Sequence, residues 1–527
     1  MAKLGKLRSA LAVLGMTSAL VVPGSAFAND VTLTSYDGSI SLKGRLVEFD
    51  GDNYRLATAI GEITIDAFQV ACEGEACPAP ELLASEFVIA GSETIGSELM
   101  PALVEGYAFA LDADISQSAG TTAEALQINM SDLEGRAMAD IEIAAIGSGD
   151  AFRGLLGGDA AIGMSSRPVR PREAQVLEQA GLGNLADPTN EHILALDGII
   201  TVVHRSNPVR AISTENMAAV FAGLVTNWSE LGGPDAPINL YVREADSGTR
   251  AVFESLIMAP AAVDMADRAS VLETNSELSD AVASDPYGIG FTGFADERNA
   301  RALGIQEVCG IVTQATPFTI KAEEYPLARR LYLYTTDKAI PPHAKSLLEF
   351  ATSDDAQDII SSLGFIDQGI SSEPVNNQGL RFASSILSAQ NTAELLQLRD
   401  MAATLVNAER MSTTFRFQPG SSLLDNKAQR DVVRIAEMIS RGDFENKDVM
   451  LVGFTDSIGR PDLNEALSFR RADQVRQAIL ESLPDGALQA DDINVLGYGE
   501  VSPVGCNETF NGRRINRRVE IWVRDKV

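Results

Sequence analysis

Residues 238–250 have the sequence INLYVREADSGTR, an apolar run that ends in an arginine and a turn of small polar residues. The apolar run predicts a β-strand, and the Ser-Gly-Thr after it predicts the first turn of a helix. Residues 91–96 (GSETIG) and 147–149 (GSG) follow two further apolar runs in the same way. Across residues 86–372, short apolar runs alternate with helix-like stretches, which predicts an α/β fold with crossover helices.

These three strand-to-helix turns are suited to holding an anion. Their backbone N–H groups lack partners within the helix, and the positive end of the helix dipole favours negative charge there. Serine and threonine add hydroxyl donors, and Arg243 adds a forked guanidinium that matches a tetrahedral oxyanion. Serine and threonine are also ordinary helix N-caps, so one such turn alone is weak evidence. Three turns of this type in one module indicate an anion site.

The overall charge argues against several classes of partner. The chain has 527 residues, with 42 basic and 73 acidic side chains and a formal net charge of −31. A chain of this length should fold as several domains, and its charge disfavours binding to nucleic acid or to an anionic membrane surface. No apolar run is long enough to predict a transmembrane segment in the mature chain. Any bound anion must therefore be held by a local site that overcomes the electrostatic repulsion of the negatively charged chain.

The start of the chain has the pattern of an export signal. Three basic residues precede a short apolar core at residues 11–22, and residues 26–28 (AFA) match a cleavage site. We therefore interpret residues 1–28 as a cleaved signal peptide and expect the protein to be exported. The alternative is an N-terminal membrane anchor, which is disfavoured because the apolar core is too short.

Four cysteines occur in this chain. Cys72 and Cys77 are close together and flanked by turn residues, so a local disulfide is expected in an oxidising compartment. Cys309 and Cys506 are far apart, and the sequence leaves open whether they are free or paired. Neither the cysteines nor the three isolated histidines have the spacing of a metal site or of a catalytic dyad. We therefore predict no metal, no cofactor and no catalytic residue.

Residue patterns outside the central region predict further modules. Residues 29–80 alternate apolar and polar positions between Asp-Gly turns, which predicts a small antiparallel β module. Residues 373–410 are expected to be a linker with one helix, and residues 411–527 a final module of strands and helices. That final module has 16 basic and 18 acidic residues, so nearly all of the net negative charge belongs to the rest of the chain.

The motifs of the central region resemble one protein family. They are IAGSETIG (89–96), AAIGMSSRP (160–168), VREADSGTR (242–250) and DPYGIGFTGFA (285–295). Together they resemble the periplasmic phosphate-binding proteins of ABC transporters, the PstS-like group. The resemblance implies a two-lobed periplasmic-binding-protein fold of type II at residues 81–372. It also implies closure on phosphate or a related oxyanion, with an ABC permease as a partner.

The same resemblance implies which residues bind the anion. They are Ser92, Thr94, Ile95, Ser148, Arg243, Ser247, Gly248 and Thr249. Two departures from the family leave the ligand open. The position of the family's proton-accepting aspartate is expected at Ala161, with Asp159 two residues earlier, and Glu93 puts a carboxylate into the first loop. The sequence is thus compatible with phosphate, with another oxyanion, or with a module that has lost its ligand.

The final module resembles a second family. GFTDSIGRPDLNEALSFRRADQVRQAIL (453–480) and NGRRINRRVEIWV (511–523) are similar to the OmpA-like peptidoglycan-binding domain, which has an α+β fold. That family holds the diaminopimelate of the peptide stem, with an aspartate on its ammonium group and an arginine on its carboxylate. The resemblance implies that peptidoglycan is bound by Asp456, Asn464, Arg471 and Arg518.

These observations predict a binding protein and not an enzyme. It is expected in the periplasm, associated with peptidoglycan and with the outer membrane. The competing interpretation is a structural envelope protein whose central module has lost its ligand or binds another oxyanion. The features that favour this alternative are Ala161 and Glu93.

Overall fold

The computed structural model of the chain describes residues 30–36, 40–49, 53–74, 76–78, 84–122, 124–389, 391–417, 423–484 and 492–526. The predicted signal peptide lies outside these residues. Among the helices within these ranges, none has the length and apolar character that a membrane-spanning segment needs.

An antiparallel sheet forms the N-terminal module, as predicted. Its strands lie in the order β4-β3-β2-β1-β5. They are β1 (Asp30–Ser35), β2 (Ser41–Phe49), β3 (Asn53–Thr58), β4 (Gly61–Asp66) and β5 (Val70–Glu73). Val31 and Leu33 of β1 and Tyr54 and Leu56 of β3 alternate with more exposed residues and form a small buried core. A disulfide joins Cys72 on β5 to Cys77.

The central region is an α/β structure with two lobes, so the predicted fold class is confirmed. The first lobe has a buried core that includes Phe87 and Ile141, and the second lobe has one that includes Val242 and Phe291. Its strands are β6 (Ser85–Gly91), β7 (Asp114–Ala119), β8 (Ala125–Ser131), β9 (Ala137–Ala144), β10 (Ile162–Ser165), β11 (Glu191–Val203), β12 (Ala211–Ser213), β13 (Asn239–Arg243), β14 (Ser270–Leu272), β15 (Gly288–Gly293), β16 (Arg301–Ala302), β17 (Gly304–Gln306), β18 (Val312–Thr313) and β19 (Ala328–Tyr334). Its helices are α1 (Glu93–Gly96), α2 (Leu99–Ala110), α3 (Ser148–Gly157), α4 (Pro171–Gln179), α5 (Thr214–Phe221), α6 (Gly248–Phe253), α7 (Ala259–Ala261), α8 (Asn275–Ser284), α9 (Pro317–Lys321), α10 (Pro342–Thr352) and α11 (Gln357–Ser362).

Strand β11 runs through both lobes. Its residues 191–198 pair with β19, and its residues 199–203 pair with β15. The strand order β14-β13-β15-β11-β19-β10-β6-β9-β8-β7 therefore continues from the second lobe into the first. The parallel pairs β6–β9, β6–β10 and β13–β15 bring the carboxyl ends of their strands to one edge within each lobe. The loops that follow these strands lie at these edges, which is where α/β sheets usually bind ligands.

The C-terminal module is a five-stranded sheet with the order β20-β21-β24-β22-β23, packed against helices. Its strands are β20 (Ser372–Pro374), β21 (Glu409–Phe415), β22 (Lys447–Phe454), β23 (Ile493–Gly497) and β24 (Arg518–Asp525). Its helices are α12 (Gly379–Ser388), α13 (Thr392–Leu405), α14 (Asn426–Arg441), α15 (Pro461–Glu481) and α16 (Phe510–Asn516).

Residues 373–410 differ from the predicted linker with one helix. They contain two helices, α12 and α13, and β20 at their start pairs with β21. Leu398 and Met401 of α13 are buried together with Met450 and Trp522 of the sheet. The apolar positions of this segment therefore cover one face of the C-terminal sheet, and the segment belongs to that module.

An extensive interface joins the C-terminal module to both lobes. Cys309, between β17 and β18 of the second lobe, is disulfide-bonded to Cys506, a pairing that the sequence left open. Arg410 is fully buried and donates both terminal nitrogens to Glu324. On the side of the first lobe, the amide nitrogen of Asn426 donates to Oε1 of Glu191 at 2.8 Å. These contacts fix the position of the module on the lobes.

Candidate functional site

The three predicted anion-binding loops meet where the lobes face each other. Arg243 ends β13 in the second lobe, and its Nη2 lies 3.3 Å from Oε2 of Glu93 in the first loop. Gly248 of the third loop packs so closely on the second loop that an added Cβ would lie 2.7 Å from Oγ of Ser148. Any larger residue at this position would collide with the hydroxyl groups of Ser148 and Ser166. The structure therefore brings together the loops that the sequence predicted to share one ligand.

Buried hydroxyl groups line this junction. Oγ of Ser148 lies 3.1 Å from Oγ of Ser166 and accepts a hydrogen bond from the backbone N–H of Ser166 at 3.0 Å. Oγ1 of Thr249 accepts a hydrogen bond from Nη1 of Arg329 at 3.0 Å. Ser148, Ser166 and Thr249 are all buried. Their hydroxyl groups could therefore serve a ligand only if it were enclosed between the lobes.

The backbone of the first and third loops is held in place. The N–H of Ser92 donates to the carbonyl of Met164 at 2.8 Å, which ties the first loop to β10. Thr94 and Ile95 are buried in the short helix α1 that follows. Ser247 is the N-cap of α6, and its hydroxyl accepts a hydrogen bond from the N–H of Arg250.

Arg243 is almost completely enclosed, with 1 % of its surface exposed. Nη1 donates to Oδ1 of Asn275, and Nη2 donates to the carbonyl of Glu273. Its Nε has no acceptor among the residues that the structure describes. Two neutral acceptors thus anchor the guanidinium, and the carboxylate of Glu93 also faces its Nη2 at 3.3 Å, so an incoming anion would share this charge with Glu93.

Three carboxyl groups lie near the two arginines of this junction. Burial raises the pKa of Glu93 and neighbouring Asp296 adds to the effect, whereas Arg243 lowers it. Burial likewise raises the pKa of Asp296. Asp197 forms an ion pair with Arg329, with Oδ2 2.6 Å from Nη2. An anion would therefore enter a site whose positive charge is already balanced by the chain's own carboxyl groups.

Asp197, Asp296 and three further residues of this junction were not predicted from the sequence. Ser166 directly follows β10 and lies inside the quoted AAIGMSSRP motif, which could have identified it. Asn275 begins α8, and Arg329 lies on β19. Asn275 lies in a Thr-Asn-Ser turn between β14 and α8, a strand-to-helix turn that could have identified it, whereas Arg329 lies inside a strand and no local pattern indicated it.

The expected carboxylate position at Ala161 is wrong. The N–H of Ala161 donates to the carbonyl of Val88, and Ala161 precedes β10, at the end of that strand away from Ser166. Asp159 is exposed and lies two residues further than Ala161 from Ser166. The residue that actually contacts Ser148 from this segment is Ser166, which has a hydroxyl group and no carboxylate.

A second candidate site lies at the carboxyl end of β22. Oδ2 of Asp456 accepts a hydrogen bond from Nη1 of Arg517 at 2.6 Å, and Oδ1 accepts one from the N–H of Ile458 at 3.1 Å. The amide nitrogen of Asn464 donates to the carbonyl of Asp456 at 3.3 Å and to Oε2 of Glu500 at 2.7 Å. The Asp456 carboxylate is thus held in a fixed orientation.

Arg471 reaches the same place from helix α15. Its guanidinium carbon lies 5.3 Å from the ring centre of Phe417. Burial lowers the pKa of Arg471, and nearby Arg517 acts in the same direction while Asp456 opposes it. Buried Nη1 of Arg471 has no acceptor within the described ranges. Because burying an unpaired charge is costly, this guanidinium is suited to receiving a carboxylate.

Arg518 does not belong to this site. It is fully buried, its Nε donates to Oε1 of Glu520 at 2.7 Å, and its Nη2 donates to the carbonyl of Ser502 at 3.0 Å. Its guanidinium also stacks over the ring of Phe454, 4.1 Å from the centroid. The predicted role of Arg518 in binding is therefore wrong, and the neighbouring Arg517 contacts Asp456 instead.

The chain is similar to known proteins in two separate regions. Residues 113–355 match the profile described as PBP superfamily domain, and residues 416–517 match the OmpA family. The phosphate-binding protein PstS of Borreliella burgdorferi is 26 % identical over 225 residues, which cover 42 % of this chain and 77 % of that protein. Protein SphX of Synechococcus elongatus is 27 % identical over 211 residues, which cover 38 % of this chain and 60 % of that protein. The chain thus spans less than two thirds of the length of SphX.

A solved structure is also similar to the central region. An ABC-type phosphate transport receptor from Vibrio cholerae aligns with 26 % sequence identity and a TM-score of 0.41, covering 53 % of this chain and 99 % of that one. The two matches do not overlap; the first contains the second and third loops of the lobe junction but begins after the first loop, and the second contains Asp456, Asn464 and Arg471. The chain therefore joins a domain of the PBP superfamily to a C-terminal domain of the OmpA family.

Proposed function

We propose that this protein is an exported binding protein that captures phosphate between the lobes of residues 81–372 and binds peptidoglycan through residues 411–527. The observation that carries the proposal is the meeting of the three loops at the lobe junction, where Gly248 packs on the hydroxyl group of Ser148 and Arg243 reaches Glu93 of the first loop. Relatives of the central region are named phosphate-binding proteins, which supports the choice of phosphate.

Short-range hydrogen bonds would hold the anion. Arg243 supplies the charge, and Ser92, Ser148, Ser247 and Thr249 supply hydroxyl donors. The backbone N–H groups of Thr94 and Gly248 complete the proposed set, and the N–H of Ile95, which donates to the carbonyl of Ser92 at 3.1 Å, would have to exchange that bond for the anion. Long-range attraction would contribute little, because the central region is strongly acidic and charges beyond about 8–10 Å are screened at physiological salt.

The C-terminal module would bind the diaminopimelate of the peptide stem. Asp456 would accept the ligand's ammonium group, and Arg471 would donate to its carboxylate. Asn464 would act indirectly, since its amide bonds to the Asp456 carbonyl and to Glu500. Bound in this way to peptidoglycan in the periplasm, the protein would deliver phosphate to an ABC permease.

Binding without catalysis is the function that the serines support. In the part of the chain that the structure describes, Ser148 hydrogen-bonds to Ser166, and Ser247 caps the N–H of Arg250. No base in these contacts would activate either hydroxyl group as a nucleophile. We therefore propose no catalytic step.

The second candidate function is a structural envelope protein whose central module binds no phosphate. Glu93 is the observation that favours it, because a carboxylate 3.3 Å from Nη2 of Arg243 competes with an anion.

Calorimetric titration of the mature chain with phosphate, with sulfate as the comparison anion, separates these functions. We expect saturable heat with phosphate at a stoichiometry of one. An absence of heat at millimolar phosphate would reject phosphate capture and leave the structural role. Co-sedimentation with purified sacculi tests the wall-binding part independently, and a protein that stays in the supernatant would reject it.

A further inference from the structure

Glu93 places a carboxylate between the two lobes. It begins α1 in the first lobe, yet its Oε2 lies 3.3 Å from Nη2 of Arg243 in the second lobe. The side chain of Glu93 is 23 % exposed and that of Arg243 is 1 % exposed. Glu93 therefore makes, from within the chain, the kind of contact between lobes that a captured oxyanion would make with Arg243.

The charged groups that face Glu93 come from three other elements. Arg243 ends β13, Arg329 lies on β19, and Asp296 ends the short 3-10 turn after β15. Arg329 is already paired with Asp197. Asp296 is a second, mostly buried carboxyl group, which adds negative charge near Glu93. Arg243 is thus the group that must compensate Glu93 and also attract an incoming anion.

Glu244 is the other carboxylate near Arg243, but it differs from Glu93 in exposure. Its Oε1 lies 4.0 Å from Nη2 of Arg243, and its side chain is 46 % exposed, so water screens it. Glu93 is mostly enclosed and closer. An ionised Glu93 would therefore repel an oxyanion at Arg243 more strongly than Glu244 would.

We propose that Glu93 controls anion capture: its carboxylate competes with the anion for Arg243, and the anion binds together with one proton shared between Glu93 and an anion oxygen. This inference rests on the proposed phosphate-binding function. Atoms balance because the proton comes either from solvent or from the anion itself. Dihydrogen phosphate beside ionised Glu93 is the same complex as hydrogen phosphate beside neutral Glu93.

The burial of Glu93 gives the sign of the pH dependence. Desolvation raises its pKa before any ligand binds, and a nearby anion would raise that pKa further. The bound state therefore holds the proton more tightly than the free state. Affinity is full at pH values below the pKa of the free state and is lost as the pH rises through the pKa of the complex.

Phosphate titration of the mature chain at pH 6 to 8.5, in two buffers of different ionisation enthalpy, tests this inference. The wild type is compared with Glu93→Gln and with the control Glu98→Gln, an exposed carboxylate on the same lobe. At pH 8 we expect the wild type and the control to take up about one proton per phosphate and to lose about tenfold in affinity per pH unit. Glu93→Gln should take up almost none and should bind about tenfold more tightly than the wild type at pH 8.

The outcomes distinguish this inference from the function on which it rests. If the wild type and Glu93→Gln bind phosphate with the same proton uptake and the same pH dependence, the role of Glu93 is refuted and phosphate binding stands. If the wild type, Glu93→Gln and Glu98→Gln all fail to bind phosphate at any pH, both the role of Glu93 and the proposed phosphate binding are refuted. Thermal unfolding without phosphate shows whether Glu93→Gln folds as the wild type does.

Discussion

The two candidate sites each contain an arginine, buried at Arg243 and half-buried at Arg471, and the two arginines differ in their partners. Arg243 donates to Asn275 and to the carbonyl of Glu273, and it also faces the carboxylate of Glu93. Arg471 rests on the ring of Phe417, and its buried Nη1 has no acceptor in the residues that the structure describes. The first guanidinium is largely satisfied by its own chain, whereas the second is not.

This difference indicates two ways of binding an anionic group. At Arg243 a ligand must displace a carboxylate or neutralise it, so its affinity should depend on pH. At Arg471 a carboxylate would relieve the cost of an unpaired buried charge, so binding should depend directly on that one arginine. The local charge supports this contrast, because residues 411–527 are almost neutral while the rest of the chain is strongly acidic.

The largest effect is expected when both charges of the C-terminal site are removed. Each charge-assisted hydrogen bond contributes about 1.5–3 kcal/mol, so Asp456→Ala combined with Arg471→Ala should weaken sacculus binding by about 100-fold or more. Co-sedimentation with purified sacculi measures the loss, and phosphate titration should remain unchanged. The matched control is Arg460→Ala with Asp462→Ala, an exposed pair at the start of the same helix with 2.8 Å between Nη2 and Oδ2. If the control loses binding and the site variant does not, the assignment is wrong.

The independence of the two sites can be tested at the disulfide between them. Cys309→Ser with Cys506→Ser removes a disulfide between cysteines that are 197 residues apart in sequence. This change should lower the free energy of unfolding by about 2–4 kcal/mol. Urea unfolding measures this change. The control, Cys72→Ser with Cys77→Ser, removes a disulfide between cysteines only 5 residues apart and should lower the free energy of unfolding by less.

Both kinds of binding should survive the loss of this disulfide. The ion pair of Arg410 with Glu324 still joins the modules, with Nη2 2.5 Å from Oε1. Loss of phosphate binding in the disulfide variant would show that the position of the C-terminal module determines the geometry of the lobes. The two sites would then not be independent of each other.

Removal of Arg243 should have a smaller effect than removal of the two charges at the wall site. Arg243→Ala deletes one charged donor, which should weaken phosphate binding by about 10- to 150-fold, or about 1.5–3 kcal/mol. Titration calorimetry measures this loss, and thermal unfolding shows whether the fold is kept. Arg298→Ala is the control, since Arg298 forms an exposed surface pair with Asp280. Equal losses in both variants would mean that general charge, and not the Arg243 contact, attracts phosphate.

The sequence predicted the parts of these sites that depend on local patterns. The turn at Ser247-Gly248-Thr249 and the pair Asp456 and Arg471 are marked by residue types at fixed spacing. The contribution of Arg329 was not predictable, because it lies inside a strand that a distant segment of the chain brings to the junction. The pairing of Cys309 with Cys506 depends in the same way on how two modules dock.

Arg517 and Arg518 show a second reason why part of the site could not be predicted from the sequence. Adjacent residues at the start of a strand point to opposite faces, so an error of one position exchanges a buried residue for one at the site. Arg518 begins β24 and pairs with Glu520 inside the module, whereas Arg517 reaches Asp456. A motif with two successive arginines cannot indicate which of them faces the ligand.

The smallest effect is expected at the aromatic ring that supports Arg471. A cation–π contact contributes about 0.5–1 kcal/mol at a partly exposed site, so Phe417→Ala should weaken sacculus binding by about two- to fivefold. Phe417→Leu keeps the apolar volume without the ring and separates packing from the cation–π contact. If Phe417→Leu binds as the wild type does, the ring acts only by packing. If instead both variants lose as much binding as Arg471→Ala, the ring is essential to hold the guanidinium, and Arg471 would be as dependent on its own chain as Arg243 is.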